Sequence, residues 1–197
     1  MRTHALLIVL IVVFFTSPLR AQSELPAHKW SHCTTLSMSG GMAGASDEAG
    51  AAIGAAIGWE ITPRLGLEFA GTWFDKQPGS TAYSAGLSLR AVLANSLSAA
   101  PFVEGGFGLY STSFNPKLAT EIPPFYSERM SGVTTNRFND PAFFAAAGAD
   151  VYRSNRLAVR PTVGATMAVR DGRTYTVATV AVHVEYHFGG LPPSLSR

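Results

Sequence analysis

The sequence is poor in charge, lysine and cysteine. Only 14% of its 197 residues are charged, against roughly 25% in an average soluble protein. Lysine provides only three of the 15 basic residues, so the lysine-rich surface of an ordinary cytosolic protein is missing. The single cysteine excludes a disulfide framework. No stretch reaches the 18 consecutive apolar residues of a membrane-spanning helix. These shortages argue against a cytosolic enzyme, a disordered chain and a helical membrane protein.

The first residues have the layout of a secretory signal peptide. A short basic start with Arg2 precedes the apolar run Ala5–Phe15, and polar residues then lead to a cleavage site after Ala21. We therefore expect residues 1–21 to be removed, with an uncleaved anchor as the weaker alternative. The remaining chain has 13 basic and 13 acidic residues. This balance gives no support for a nucleic-acid partner.

The rest of the chain alternates between apolar and polar residues with a period of two. In the last alternating segment, Val180, Val182 and Val184 have one parity, while His183 and Glu185 have the other. Successive side chains of a strand point to opposite faces, so this pattern predicts a strand with one apolar face. The pattern predicts eight strands, at 33–43, 53–61, 64–75, 83–93, 97–112, 142–152, 157–170 and 174–188. Helical periodicity is missing.

The polar parity indicates which face is internal. It holds mostly Gly, Ala, Ser and Thr, with a few charges of both signs. This composition suits a narrow barrel interior, filled by side chains, in which charges are paired. The apolar parity then faces lipid, and a secreted soluble barrel or sandwich is the alternative. The predicted polar network of the lumen comprises Glu60, Arg64, Glu68, Arg90, Glu104, Asp150, Arg160, Arg170, His183, Glu185 and His187.

The connections between the predicted strands distinguish the two ends of the barrel. Short turns at Thr62-Pro63, 94–96 and 153–156 fall at one end, and the long connection 113–139 falls at the other. Outer-membrane barrels have short periplasmic turns and longer external loops, so the long connection is expected outside. Aromatic girdles are predicted near the strand ends. They comprise Trp59, Tyr152, Tyr186 and Phe188 at the periplasmic rim and Trp73, Tyr83, Phe107, Phe143 and Tyr175 at the outer rim.

Three stretches carry a family resemblance: residues 58–68 (a strand, tight turn and strand), residues 156–161, and the closing Val-Glu-Tyr-His-Phe at 184–188. With them the chain resembles the small eight-stranded bacterial outer-membrane β-barrels. The resemblance implies an all-β, antiparallel, up-and-down transmembrane barrel over residues 22–188, in a Gram-negative outer membrane. It implies contact with outer-membrane lipid and lipopolysaccharide. It also implies that the barrel-assembly machinery reads Tyr186 and Phe188 as an assembly signal, and that residues 189–197 form a short periplasmic tail.

Two histidines and a carboxylate share one face of the last predicted strand. His183, Glu185 and His187 are neighbours about 6.5 to 7 Å apart along that face. Such groups bind zinc or perform acid–base chemistry, but this spacing is wide for a single metal. A polar network in the lumen is the favoured interpretation, and no catalytic, cofactor or metal residue is predicted. Cys33 is expected to be a small lumen-facing residue near the periplasmic end.

The connection 113–139 is the most distinctive segment of the chain. Its candidate binding residues are Phe114, Phe125, Tyr126, Arg129, Arg137 and Phe138. Aromatic and arginine side chains on a loop suit recognition of a protein, a glycan or lipopolysaccharide phosphates. The alternative is a loop that folds over the barrel mouth and closes it.

These patterns predict a non-enzymatic barrel with a structural, adhesive or loop-mediated binding role in the cell envelope. An eight-stranded barrel is filled by side chains, so general diffusion through it is expected to be poor. A narrow channel for small or hydrophobic molecules is one alternative. A lipid-modifying enzyme is another, but it needs a nucleophile, a histidine and a carboxylate near the outer leaflet. The histidines of the last strand fall near the periplasmic rim instead.

Overall fold

The computed structural model describes residues 33–45, 49–77, 79–94, 99–115, 122–130, 136–153 and 156–188. Within them the strands are β1 (Cys33–Gly44), β2 (Ala49–Thr62), β3 (Leu65–Gln77), β4 (Ser80–Val92), β5 (Ala99–Phe114), β6 (Arg137–Tyr152), β7 (Leu157–Arg170) and β8 (Arg173–Phe188), and the one helix is α1 (Pro124–Met130). Each strand pairs antiparallel with the next, and β1 pairs with β8. The predicted eight-stranded up-and-down barrel is confirmed. The predicted signal peptide 1–21 and the tail 189–197 lie outside the described residues.

The two faces of the strands follow the predicted parity. On β8, the side chains of Val180, Val182 and Val184 are 47%, 40% and 50% exposed. Glu185 and His187, on the opposite parity, are buried. The other strands repeat this arrangement, with Ile53, Phe69, Leu89 and Phe107 among the large apolar residues on the outside. The barrel is therefore apolar outside and polar inside, as a barrel surrounded by lipid requires. In the described part of the chain, no helix is long and apolar enough to cross a membrane.

Several strand ends differ from the predictions: β2 begins at Ala49 rather than at 53, β4 begins at Ser80 rather than at 83, and the largest difference borders the long connection. Strand β6 begins at Arg137 rather than at 142, and β5 extends to Phe114, so the long connection spans only residues 115–136. Proline in an apparent strand normally indicates an edge or a break. Pro141 nevertheless lies within β6, opposite Leu109 of β5. The connection also contains α1, which the sequence pattern did not predict.

A two-residue hairpin joins β7 to β8 at the same end of the barrel as α1. Its residues Asp171 and Gly172 have φ values of 50° and 73°. Positive φ at both central positions is the geometry of a type I′ turn, whose twist matches that of the flanking strands, and Asp-Gly is a preferred pair there. This end therefore carries both a minimal turn and the longest connection.

Two of the residues predicted for the aromatic girdles point inward. Tyr152 and Tyr175 are each only 8% exposed. Tyr152 has the inward parity of Asp150, and Tyr175 has that of Val177, so neither ring can reach lipid. Trp59, Tyr83, Phe143, Tyr186 and Phe188 do face outward.

The middle of the lumen is shaped by glycine opposite one phenyl ring. Phe144 points inward from β6, and a Cβ at Gly86 of β4 would overlap its ring. The same Cβ would stand 2.6 Å from the carbonyl oxygen of Phe107, closer than real Cβ atoms approach. Phe144 therefore occupies space that only glycine leaves open.

Candidate functional site

The lower part of the lumen, at the end of the barrel opposite helix α1, holds a cluster of buried charges, here called the lumen ion cluster. Strands β2 to β8 place inward residues at similar heights, and six of those strands each contribute an acid or an arginine that is at most 7% exposed. The cluster consists of the carboxylates Glu60, Glu68, Asp150 and Glu185 and the guanidiniums Arg90 and Arg160.

Arg160 is the central cation of this cluster. Its Nη1 lies 2.9 Å from Glu68 Oε2 and its Nε lies 2.5 Å from Asp150 Oδ1. Its Nη2 donates to Glu185 Oε2. One guanidinium thus joins strands β3, β6, β7 and β8 across the lumen, because its planar fork can satisfy several carboxylates at once.

Arg90 is the second cation and contacts an overlapping set of acids. It donates to Glu60, and its Nη1 lies 3.5 Å from both Asp150 Oδ2 and Glu185 Oε2. The ring of Phe102 lies against both arginines, with centroid distances of 5.7 Å to Arg90 and 5.3 Å to Arg160. Burial of like charges side by side is tolerated here because shared carboxylates and an aromatic face surround them.

Three further predicted residues border the cluster. Glu104 accepts a hydrogen bond from Ser88. His183 Nε2 lies 3.1 Å from Thr162 Oγ1, and His187 Nε2 lies 3.4 Å from Glu185 Oε1. The structure thus brings together nine of the eleven residues predicted for the polar network.

Arg64 and Arg170, the other two predicted network residues, lie elsewhere. Arg64 is exposed in the β2–β3 turn, where its backbone N–H donates to Thr62 Oγ1 at 3.2 Å. Arg170 is at the opposite end of the barrel, where its Nη1 lies 3.1 Å from Asp140 Oδ1. Arg64 lies just before β3 and Arg170 is the last residue of β7. Alternation indicates which face of the sheet a residue occupies, but it does not indicate the position of the residue along the barrel axis.

The outer mouth of the barrel is filled by an aromatic lid. We use this name for helix α1, with its inward ring Tyr126, together with the rings beneath it: Phe74, Tyr110, Phe114, Phe138 and Tyr175. Tyr126 of α1 is fully buried, and its ring centroid lies 5.3 Å from Phe114, 5.4 Å from Phe138 and 5.2 Å from Tyr175. Rings at these distances contribute both apolar burial and favourable edge contacts.

An ion pair fastens the lid to the barrel wall. Arg129 of α1 donates to Asp140 of β6 at 2.8 Å and lies 4.5 Å from the centroid of the Phe138 ring. Asp140 is fully buried and also accepts from Arg170. Glu128 and Arg173, which are exposed, pair at the rim. Burial raises the pKa of the Tyr126 phenol, and the nearby Asp140 carboxylate adds to this rise.

The lid changes the interpretation of the six loop residues predicted as binding candidates. Tyr126 is the buried ring of α1, and Phe114 and Phe138 are buried beneath that helix, so all three close the mouth and do not face an external ligand. Phe125 is half-buried and stacks on Tyr175 at 5.9 Å, and Arg129 is held by Asp140. Arg137 is exposed at the start of β6.

A cavity of about 130 Å³ lies between the lid and the lumen ion cluster. Small residues such as Ser39, Thr72 and Ser84 line it, with Glu104 and His183 among its titratable groups. The cavity is bounded above by Phe74 and below by Arg160. A solute that crosses the barrel would have to displace both layers.

Several residues of this site escaped the sequence analysis. Phe102, Ser88 and Asp140 make direct contacts with the charged or aromatic groups described above. For Phe102 and Ser88 the inward parity of the predicted strand was the available signal, whereas Asp140 lies before the predicted start of its strand at 142. Their partners lie on neighbouring or opposite strands, and those pairings depend on register.

No family model matches the chain, and no curated protein matches its sequence significantly. Solved structures do share its fold. Neisserial surface protein A (NspA) has a TM-score of 0.60 at 11% identity, over 79% of this chain and 96% of that one. The N-terminal β-barrel domain of Pseudomonas aeruginosa OprF has a TM-score of 0.53 at 13% identity, over 79% and 98%. P. aeruginosa OprG has a TM-score of 0.53 at 12% identity, over 85% and 100%.

The closed barrel, its apolar outer face and these shared folds define the class. The chain has the fold of the small eight-stranded outer-membrane β-barrels. The belt of exposed apolar side chains, together with the fold, places it in a Gram-negative outer membrane, as the sequence predicts.

Proposed function

We propose that this protein is a sealed, non-enzymatic barrel with a structural or binding role at its outer surface. The observation that carries the proposal is that the lumen is filled in two separate layers. The aromatic lid occupies the outer mouth and the lumen ion cluster occupies the lower end. Transport through the barrel would require both layers to open. A structural or binding role at the outer surface requires neither layer to move.

Conductance in planar lipid bilayers tests this proposal against a narrow channel. The folded protein is expected to give no steady ionic current. A variant in which residues 122–130 are replaced by a Gly-Ser linker removes α1 and should remain closed, because Arg160 and its carboxylates still block the lower end. Steady current through the unaltered protein contradicts the proposal. Current that appears only in the variant makes α1 a gate and favours the channel.

The placement of the histidines disfavours the lipid-modifying enzyme. Among the described residues, His183 and His187 both point into the lumen from β8. Neither side chain faces the lipid surface, where an acyl-chain substrate would lie. Mass spectra of lipid A from cells with and without the protein are therefore expected to be identical. A new deacylated or otherwise altered lipid A species would support the alternative of a lipid-modifying enzyme.

The exposed outer rim is the surface we assign to binding. Helix α1 contacts the barrel through Tyr126 and Arg129, and it presents Glu128 beside Arg173. Arg137 and Arg170 lie at the same rim. Arginines there suit lipopolysaccharide phosphates. Replacing Arg137 and Arg173 with glutamine should reduce retention of lipopolysaccharide during purification, whereas Arg64→Gln at the opposite end should not.

We also propose that Tyr186 and Phe188 act as the assembly signal read by the barrel-assembly machinery. Both rings face outward at the lower end of β8, and their centroids are 4.8 Å apart in an edge-to-face arrangement. Phe188→Ala should lower the amount of heat-modifiable barrel in cells. Phe107→Ala, which removes an outward ring from the middle of β5, is the matched control. Equal loss in both variants would mean that general stability, and not recognition, is responsible.

A further inference from the structure

The lumen ion cluster contains more carboxylates than guanidiniums. Its four acids, Glu60, Glu68, Asp150 and Glu185, outnumber its two cations, Arg90 and Arg160, so its formal charge is −2. All six residues are at most 7% exposed. Unbalanced charge is costly where water is excluded. The cluster therefore needs either protons on its acids or a further cation.

One carboxylate oxygen in this cluster has no hydrogen bond. Glu185 is 1% exposed, and its Oε2 is taken by the arginines, but no donor reaches its Oε1. That oxygen lies 3.4 Å from His187 Nε2. Glu60 supplies a third ligand atom, and all three atoms lie within 4.8 Å of one another. A buried acceptor without a donor is expensive, so the arrangement favours an ion between these groups.

We propose that Glu60, Glu185 and His187 form a site for a divalent transition-metal ion, with Zn²⁺ as the best fit. A mixed set of imidazole nitrogen and carboxylate oxygen suits zinc, whereas calcium and magnesium prefer oxygen alone. Zinc bonds of about 2.1 Å in a tetrahedron separate neighbouring ligand atoms by about 3.4 Å. His187 Nε2 and Glu185 Oε1 already stand at 3.4 Å. A single divalent ion also brings the formal charge of the cluster to zero.

The position of the three residues gives the ion a short route to the site. His187 is the next-to-last residue of β8, and Glu60 is two residues from the end of β2. Both are at the lower end of the barrel, away from the aromatic lid. An ion that reaches the site from this end need not pass the lid or the cavity.

Zinc binding to the full chain tests the proposal. The protein is prepared without a histidine tag, folded in detergent micelles in metal-free buffer, and titrated with ZnCl₂ by calorimetry. Zinc content is measured after dialysis, and gel mobility with and without boiling verifies folding in every sample. We expect one zinc ion per chain. His187→Ala should weaken binding by at least about tenfold, a loss at least as large as that seen when a group supporting a metal ligand is removed.

Two control variants separate this site from other histidines. His183→Ala removes the histidine that bonds to Thr162 and should leave zinc affinity unchanged. His28→Ala/His32→Ala removes the histidines that precede β1 in the sequence and should also leave it unchanged. If His187→Ala does not fold, His187→Gln, which keeps a polar side chain of similar size, takes its place. Cobalt substitution then reports nitrogen coordination by its visible absorption spectrum.

Three results would overturn the proposal. One is a correctly folded chain that retains no zinc, which would mean that protons balance the excess carboxylates. Another is unchanged affinity in the His187 variant. The third is a loss of binding in either control variant as large as that in the His187 variant.

Discussion

Replacing Arg160 with methionine removes the cation that three buried carboxylates share. Methionine fills a similar volume, so the change deletes charge with little loss of packing. Glu68, Asp150 and Glu185 then lose a guanidinium partner at once. Breaking a buried pair by removing one partner costs about 3–5 kcal/mol, because the remaining charge is uncompensated. We expect a loss in this range, since Arg90 still reaches two of the three acids.

Urea unfolding of the barrel in phospholipid vesicles measures this loss. Fluorescence of Trp59 and Trp73 follows the transition, because both lie on strands of the barrel, and gel mobility provides a second probe. Arg160→Lys keeps the positive charge but not the planar guanidinium, so its loss of stability should be smaller than that of Arg160→Met. Arg64→Met changes an exposed arginine and should stay within about 0.5 kcal/mol. A loss below about 1 kcal/mol for Arg160→Met would refute the assignment of Arg160 as the central cation of the cluster.

Three further predictions concern the middle, the lipid face and the lid of the barrel. Gly86→Ala should lower the free energy of unfolding by about 1–3 kcal/mol, because the added Cβ would overlap the ring of Phe144. Gly40→Ala is the control: a Cβ there meets open space, so its effect should be nearly neutral. Urea unfolding compares the two variants. Val180→Arg should lower the free energy of unfolding by about 2–4 kcal/mol if this position lies near the bilayer midplane, whereas Val180→Leu should change it little. Equal effects of the two substitutions would contradict the assignment of Val180 to the lipid-facing side. Tyr126→Phe should be tolerated because the buried hydroxyl has no hydrogen-bond partner among the described residues, while Tyr126→Ala should expose the connecting segment to protease. Because burial raises the pKa of Tyr126, the stability of the lid should be constant below about pH 10, the ordinary tyrosine pKa, and should fall as the pH rises above that value. Hydrogen exchange in α1 measures this fall in stability. The fall should be smaller in Tyr126→Phe, which has no phenol to ionise.

Most of the barrel could be predicted from the sequence because one physical rule controls it. A strand between lipid and a narrow polar lumen must alternate between apolar residues that face out and polar residues that face in. On β8, Val180 and Val182 face out and Glu185 faces in, as this rule requires. Parity also identified all six residues of the lumen ion cluster. The errors at Tyr152 and Tyr175 came from giving aromatic character more weight than parity.

The parts that escaped prediction depend on contacts between distant segments. Helix α1 has seven residues, too few for a clear helical period, and it is stabilised by Tyr126 packing into the barrel mouth. The height of Arg170 in the barrel depends on strand register, which brings it to Asp140 rather than to the lower cluster. The choice between a binding loop and a closed mouth likewise required the position of the rings in space.

The seam between β1 and β8 has a consequence for how the molecule is made. The first and last strands share eleven paired positions, from Thr34 with Phe188 to Gly44 with Ala178. The sheet therefore has no free edge once it closes, but until β8 is present both neighbouring strands expose unpaired backbone groups. A nascent or truncated chain that ends before Arg173 cannot reach the native structure and presents two aggregation-prone edges. Closure of the barrel therefore has to wait for β8, the last of its strands along the chain.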